Sequence, residues 1–527
     1  MKHLILIFIL LTLLVPAGCT QKTSVSPHNN TLKLRLAGEP STLNPILSTD
    51  VYSGAIEGVL FNGLFRINEN LDLEPDLAES YAVNKQGTIY TFHLRQNVRW
   101  HDGQPFTAED VKFTFETILD PNTNTVRRSS FIINGKPVAF KIINTHTIQA
   151  ILPEPFAPFL TRISMSIIPK HILKDQNINT TEFNRNPIGT GPFKFQLWKT
   201  GQYILTEKNT DYFGKTAHLD KIIFKLIPDT NTATIALEKG EIDVMDIMPK
   251  DLERMNKISH LNTFHYEQLQ YSFIGFNLKH PMLSEPLIRQ AIAHAVNRDA
   301  IIKNVYNGMA KPAFCPASPI LWGYPKNVAN YAYDPKKSNA LLAQAGFVLN
   351  NKTGVFERDN QALEFTLISG KGSKPGEKTA QIIQQYLSSA GIKMNIQLME
   401  WQSFIKILNN PSDPKPFDAA MLGWSLGIDP DSYSIWHSSQ YPKGFNFIGY
   451  SNPRVDTLLV KGRSTISKPK RTRVYQELFS KIAEDIPYLF LIYPETITAV
   501  NTRVKGLSKP GPAGLFVRIE DIKVLPR

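Results

Sequence analysis

Gly423-Trp424-Ser425-Leu426-Gly427 carries the G-x-S-x-G spacing that sets a nucleophilic serine on a strained strand-to-helix turn. A hydrolase built that way needs an acid and then a histidine later in the chain. The only later histidine is His437, and Asp429-Pro430 breaks the helix that should follow the serine. Covalent catalysis by Ser425, as in a secreted serine hydrolase, is therefore kept only as a remote alternative. His101-Asp102 has the residue types of an acid–base pair, but it lies in a His101-Asp102-Gly103 turn. The twelve histidines are scattered, with no H-E-x-x-H and no paired C-x-x-C, which argues against a structural zinc site. Gly370-Lys371-Gly372-Ser373-Lys374-Pro375-Gly376 is rich in glycine and lysine but lacks the spacing of a phosphate-binding P-loop. It reads either as a surface loop or as a basic, backbone-rich loop through which Lys371 meets an anion such as a ligand carboxylate.

The elements around these residues alternate between helix and strand. Residues 88–95 set Tyr90, Phe92 and Leu94 on one face and Thr91, His93 and Arg95 on the other, a half-buried strand. Thr107 and Asp110 have capping-box spacing for a helix to about Leu119, stopped by Asp120-Pro121. Residues 186–192 are a cluster of breakers and mark a crossover between domains. A strand is expected over 219–228 and a helix over 232–239 closed by Gly240. A helical stripe runs from Leu287 to Tyr306. A helix over 377–390 closed by Gly391, a strand over 392–398 and an amphipathic helix over 471–484 complete the pattern. The class is α/β or mixed α and β, with no repeat of fixed period.

The chain has 527 residues, a prior of about three to four domains. Its globular composition excludes disordered and fibrous classes. The net charge of +12 is spread along the chain, so a basic soluble protein is preferred to a nucleic-acid binder. The densest stretch, Lys468, Lys470, Arg471 and Arg473, reads as a solvated helix face. Two cysteines cannot make a disulfide scaffold.

Lys2 and His3 precede an apolar run from Leu4 to Val15, broken once by Thr12, the pattern of a secretory signal. It ends in Ala17-Gly18-Cys19, which resembles the lipobox of bacterial lipoproteins. That resemblance implies a signal peptide over 1–18, a lipidated Cys19 and a polar tether over 19–31. Cys315 is then left without a partner, as a buried small hydrophobe or a free thiol.

The segments Leu77-Ala78-Glu79-Ser80, Tyr90 to Arg95, Val98-Arg99-Trp100-His101-Asp102-Gly103 and Phe106 to Val111 resemble the signature region of one family. It is the extracytoplasmic solute-binding proteins of peptide ABC importers, the oligopeptide- and dipeptide-binding group. Asn186 to Phe193, Tyr212-Phe213-Gly214 and Gly240-Glu241-Ile242-Asp243 resemble it too. The resemblance implies a two-lobed α/β fold of the type II periplasmic-binding-protein kind with an extra third sub-domain and the ligand cleft between lobes. Lobe I is expected over 32–65, 187–280 and 495–527, the extra sub-domain over 66–186 and lobe II over 281–494.

In such relatives the pocket borders a Gly-Trp pair, and an aspartate three residues after that Trp meets the α-ammonium of a peptide. Here the pair is Gly423-Trp424 and the third residue on is Gly427, so Asp429 is the candidate that could shift into the role. Trp401, after Glu400, is the second aromatic wall. Glu39 and Tyr52 are candidates at the other edge. Carried over, the function is capture of short peptides for an ABC permease and its ATPase subunits, with membrane contact through the lipid. A monomer is expected, without cofactor, metal or nucleic acid, lipid-anchored and facing the periplasm or cell exterior. Within the family the alternatives are a modified peptide such as a cell-wall fragment, a nickel chelate or a sugar.

Overall fold

The structure, a computed structural model, describes residues 30–442 and 444–526, with only the backbone of Trp401 and Gln402. The leader and Cys19 lie outside the described residues. Strand β1 (Thr31–Leu36) opens the first lobe, and helix α1 (Val51–Leu60) follows, capped by Asp50 accepting from the Ser53 amide at 2.8 Å. The extra sub-domain is an antiparallel sheet of β2 (Ala78–Val83), β3 (Ile89–Leu94), β4 (Ala139–Asn144) and β5 (Thr147–Ile151), in the order β2-β3-β5-β4. Helix α2 (Ala108–Leu119) starts at the expected capping box: the Thr107 amide donates to Asp110 at 2.9 Å, and Thr107 accepts from Glu109. Tyr90, Phe92 and Leu94 are buried as their alternation requires.

The crossover at 186–192 is a close approach of backbones. A Cβ at Gly189 would sit 1.8 Å from the carbonyl oxygen of Leu60, so only glycine fits. His101 fastens it: Nδ1 accepts from the Gly189 amide and Nε2 bonds the Gly191 carbonyl, each at 3.1 Å. Burial drops this imidazole to a pKa of about 4 and keeps it neutral. Asp102 turns instead to His171, at 2.8 Å. The His101-Asp102 pair is thus a structural turn.

The chain then returns to the first lobe as β6 (Phe193–Lys199), β7 (Tyr203–Lys208), β8 (Lys221–Leu226), α3 (Thr230–Glu238) and β9 (Val244–Asp246). Strands β10 (Leu261–Glu267) and β11 (Gln270–Phe276), end to end along one partner, lead out. In the second lobe follow α4 (Pro286–Ala295), α5 (Arg298–Tyr306), β12 (Ala310–Pro312), β13 (Glu364–Gly370), α6 (Lys374–Ser389), β14 (Lys393–Met399), α7 (Trp401–Leu408) and β15 (Ala419–Ser425). Helices α8 (Pro453–Ser464) and α9 (Lys468–Asp485) precede the last long strand, β16 (Tyr488–Asn501). The stripe from Leu287 to Tyr306 is two helices rather than one. Val296 turns to extended backbone, and Asn297 caps the second helix by accepting from the Ala300 amide at 3.0 Å.

Twelve strands join in one sheet along the path β6-β7-β8-β1-β9-β16-β11-β15-β13-β14, with β10 and β12 also on β16. β16 serves both lobes. Residues 488–492 pair with β11, and 495–501 pair with β10 and β9. β11 pairs with β15 over seven residues. This places residues 270–276 with lobe II, whereas the sequence reading left them in lobe I; that reading had no signal for which strand they meet. One buried cluster holds Leu32 and Phe224 of the first lobe together with Phe92 and Phe115 of the extra sub-domain. Two further clusters lie in lobe II, one including Ile292, Leu367 and Leu387, the other Phe273, Tyr475 and Tyr488.

Glu57 on α1 is buried at this shared core. Its Oε2 accepts from the Ser48 hydroxyl at 2.8 Å, and Oε1 is buried without a hydrogen bond. Burial lifts the carboxyl from 4.5 to about 7, against the pull of Ser48 and Arg127. A carboxyl raised on folding favours the native state while it keeps its proton, and that contribution is lost as pH rises from 4.5 through about 7. His101 acts oppositely: with its pKa depressed, its contribution is lost as pH falls from 6.5 to about 4. Comparison with a variant separates the two. Glu57→Gln is expected to match wild type near pH 4 and to be more stable at pH 8, by up to about 3 kcal/mol. Urea unfolding midpoints at both pH values check this.

Candidate functional site

Ligands in open sheets with parallel strands lie beyond the carboxyl ends of those strands, where loops and helix N-termini leave a crevice. In lobe II, β13 runs parallel to β14 and β15, and their carboxyl ends are Gly370, Met399 and Ser425. The residues that follow are Lys371, Glu400-Trp401 and Leu426 to Asp429. Four of the candidates read from sequence, with the backbone of Trp401, therefore share one edge. Lys371 donates its amide to Met399 at 2.8 Å, and its ammonium pairs with Glu400. Both partners of that pair are exposed, so it contributes at most about 1 kcal/mol and is easily exchanged for another anion. Trp401 opens α7; its side chain lies outside the described residues.

Trp424 stands opposite Tyr271 on β11 and is half-buried. Its ring stacks on Phe273 (centroids 6.3 Å, 14°) and meets Phe445 edge-on at 5.7 Å. The indole Nε1 is buried and makes no hydrogen bond of ordinary geometry. Two walls of aromatic carbon thus fix the ring.

The loop after β15 is held by two arginine–aspartate pairs. Asp429 receives Nη1 and Nη2 of Arg471 at 2.5 and 2.7 Å, and Asp431 receives Nε and Nη2 of Arg463 at 2.9 and 3.0 Å. Burial opposes the charge on Arg471, but its hydrogen bonds and charge contact with Asp429 outweigh burial and raise its pKa. Two corrections follow. Asp429, expected to stand in for the amine anchor, has both oxygens spent on Arg471 and is no free counter-ion. Arg471, expected on a solvated helix face, is 5% exposed, because α9 turns it inward toward that carboxylate. Gly427 has no positive φ, and a Cβ there would meet only the Asp429 backbone at 3.9 Å. Its missing side chain therefore leaves open space that no steric demand explains.

The lobe I candidates lie where β1 ends. Glu39 accepts from the Trp198 indole at 2.9 Å and the Gly201 amide at 3.2 Å, tying its loop to the β6–β7 hairpin. The Tyr52 ring packs against Gly38, where a Cβ would fall within 2.4 Å of it. No described hydrogen bond or ion pair joins these two to the lobe II set.

The lobes meet between the extra sub-domain and the α8–α9 hairpin. The Ala157 amide donates to the Arg463 carbonyl at 2.7 Å, Arg162 reaches Asp431 at 3.8 Å, and Lys468 pairs with Asp72 at 3.0 Å. Two openings flank this bridge. One, of about 570 Å³, is bordered by Tyr81, Trp322 and the Asp429–Arg471 pair; the other, of about 440 Å³, by Phe156, Tyr433 and Phe445. Sequence reading missed Asp431, Arg463, Tyr433 and Phe445. The alternate spacing of Asp429 and Asp431 was the one local sign of a doubly clamped loop.

Nothing here supports a nucleophile elbow. No helix begins until Tyr433, Ser425 has no positive φ, and His437 bonds Ser439 at 2.8 Å. Cys315 is buried and free, and burial pushes its thiol up to about 11, so it is inert.

Two lobes sharing one long strand, with openings between them, have the layout of a binding protein. Residues 72–445 match the model of bacterial extracellular solute-binding proteins, family 5 middle. The oligopeptide-binding protein AppA of Bacillus subtilis is 35% identical over 477 residues, covering 89% of this chain and 87% of the relative. The dipeptide-binding protein of Escherichia coli is 29% identical over 92% of this chain and 93% of its own length. The structure of AppA in complex with a nonapeptide aligns with TM-score 0.79 and 33% identity over 95% of this chain and 99% of that one. That of NikZ from Campylobacter jejuni in complex with Ni(L-His) aligns with TM-score 0.80 and 30% identity over 94% and 99%. The chain belongs to the family 5 extracellular solute-binding proteins, which are binding proteins, not enzymes.

Removing one partner of a buried ion pair strands the other charge. Arg471→Met is expected to lower stability by about 3–5 kcal/mol, and adding Asp429→Asn to recover part of that loss. Urea denaturation of the single and double variants measures both.

Proposed function

We propose that this protein captures short peptides outside the cytoplasm and delivers them to the permease of an ABC importer, whose ATPase supplies the energy. The reading is carried by Trp424 at the carboxyl end of β15, just before the clamped loop whose Ile428 and Asp429 border an interlobe opening, in a chain alike over nearly its whole length to an oligopeptide-binding protein. A flat aromatic face suits ligands whose side chains vary, because it discriminates little. Lys371, whose exposed pair with Glu400 is easily exchanged, is the anion partner for a peptide carboxylate. Glu39 and Tyr52 frame the opposite edge. With Gly427 in the amine-anchor position and Asp429 committed to Arg471, the ligand amine is met by main-chain carbonyls or by another acidic side chain.

Cys19 carries the lipid that holds the protein at the cell membrane, after removal of residues 1–18, and the protein acts as a monomer. Purification under native conditions, followed by mass spectrometry of released small molecules, is expected to yield peptides, and calorimetry to show peptide binding. Release of a nickel–histidine chelate or a sugar alone, with no heat from peptides, would overturn the reading. Cys19→Ser is expected to move the protein from the membrane fraction to the soluble exported fraction; retention at the membrane would refute the anchor.

A further inference from the structure

The opening of about 440 Å³ beside the interlobe bridge has no role in the account above. Its volume lies within the ~300–1,000 Å³ span of small-ligand sites. Three large apolar side chains on its walls are left open to solvent: Phe445 at 54%, Val460 at 53% and Ile132 at 38%. Single exposed apolar residues are ordinary, but three converging on one concave opening from two different lobes mark a binding surface. Ile132 belongs to the extra sub-domain, and Val460 lies on α8 in lobe II. The groove has both walls only while the lobes are together.

Phe445 connects this groove to the wall already described. Its ring is edge-on to Trp424 at 5.7 Å and also lines the groove, so it stands between the two. The rim is polar and rigid. Arg463 lies over the Tyr433 ring at 4.0 Å and near Phe156 at 5.5 Å, and Asn134 donates to Glu154 at 2.7 Å. An apolar floor with a satisfied polar rim suits an apolar side chain attached to a polar main chain.

We infer that this groove is a second, apolar subsite of the ligand cleft, which takes an apolar or aromatic side chain of an extended peptide whose nearer residues lie against Trp424. The inference rests on the peptide reading given above and goes beyond it by setting a side-chain preference. Trp424 and Phe445 stand 5.7 Å apart, less than two residues of extended chain at ~3.3 Å each, so one extended peptide can reach both. The favoured ligand therefore carries an apolar residue for the groove besides the residue that lies on Trp424.

Calorimetric titration with tri-alanine, hexa-alanine and the six hexapeptides bearing one Phe in an alanine background tests this. One Phe position is expected to bind about tenfold tighter than hexa-alanine or better, the gain from burying one aromatic side chain. Val460→Trp, which fills the groove from lobe II, and Ile132→Asp, which charges its other wall, are expected to abolish that gain. Both should leave tri-alanine affinity within about twofold of wild type. Both positions are solvent-exposed, and thermal melts establish that the variants are folded. Hexapeptides that bind with no positional preference would overturn the subsite alone, as would variants that weaken tri-alanine and hexapeptides equally. Absence of binding by any of these peptides to wild type would overturn both the subsite and the peptide reading.

Discussion

Strand β16 is the constraint on which the two-lobed arrangement depends. Its first residues are hydrogen-bonded into the lobe II sheet through β11, and its last into the lobe I sheet through β9 and β10. β10 and β11 cross beside it in the same direction, both antiparallel to it, through Gln268 and Leu269. Fourteen residues of continuous strand cannot fold sharply without losing ladder bonds, so relative movement of the lobes is confined to these two crossings. The loops at the carboxyl edges can then open or close around a ligand while each sheet stays intact.

Each edge is made rigid by different means. Lobe I uses close approach: Tyr52 presses on Gly38, and Glu39 bonds the neighbouring hairpin. Lobe II uses charge. Two aspartates two residues apart are taken by two arginines from the α8–α9 hairpin, and the chain between them has little freedom. A surface pair would do little here, since exposed ion pairs contribute about 0–1 kcal/mol. The Asp429–Arg471 pair is different because both groups are out of water, and neither can be left alone there. Burying it gives little net stability but forbids other conformations of the loop that follows Trp424.

Local rules explain which parts of this were legible from sequence. The capping box at Thr107, the alternation of Tyr90, Phe92 and Leu94, and the breakers at 186–192 depend on neighbours within a few residues, and each lies where expected. The break at Val296 was hidden because Ala295 and Val296 continue the apolar stripe; only Asn297, a good cap, marked it. The lobe of β11 depends on its pairing with residues about 150 positions later, which no period reveals. The fate of Asp429 was illegible for the same reason. An aspartate before a proline and an arginine forty-two residues on each read as exposed until the fold brings them to 2.5 Å. The whole-chain resemblance supplied the fold.

The contacts that join the lobes are weak by construction. Arg162 stands 3.8 Å from Asp431, whose charge Arg463 already answers, so little attraction is left over. Lys468 and Asp72 are both exposed, and such pairs contribute about 0–1 kcal/mol. The Ala157–Arg463 backbone bond adds about 1 kcal/mol net. A bridge of this strength leaves the closed and open arrangements within a few kcal/mol of each other. A ligand shifts such an equilibrium only by binding one state more tightly than the other. Among the surfaces that come together only when the lobes meet are the groove walls, with their exposed Phe445, Val460 and Ile132. Apolar surface left open on both sides of the gap, rather than the ion pairs across it, is therefore where a ligand gains the differential contact that holds the lobes together.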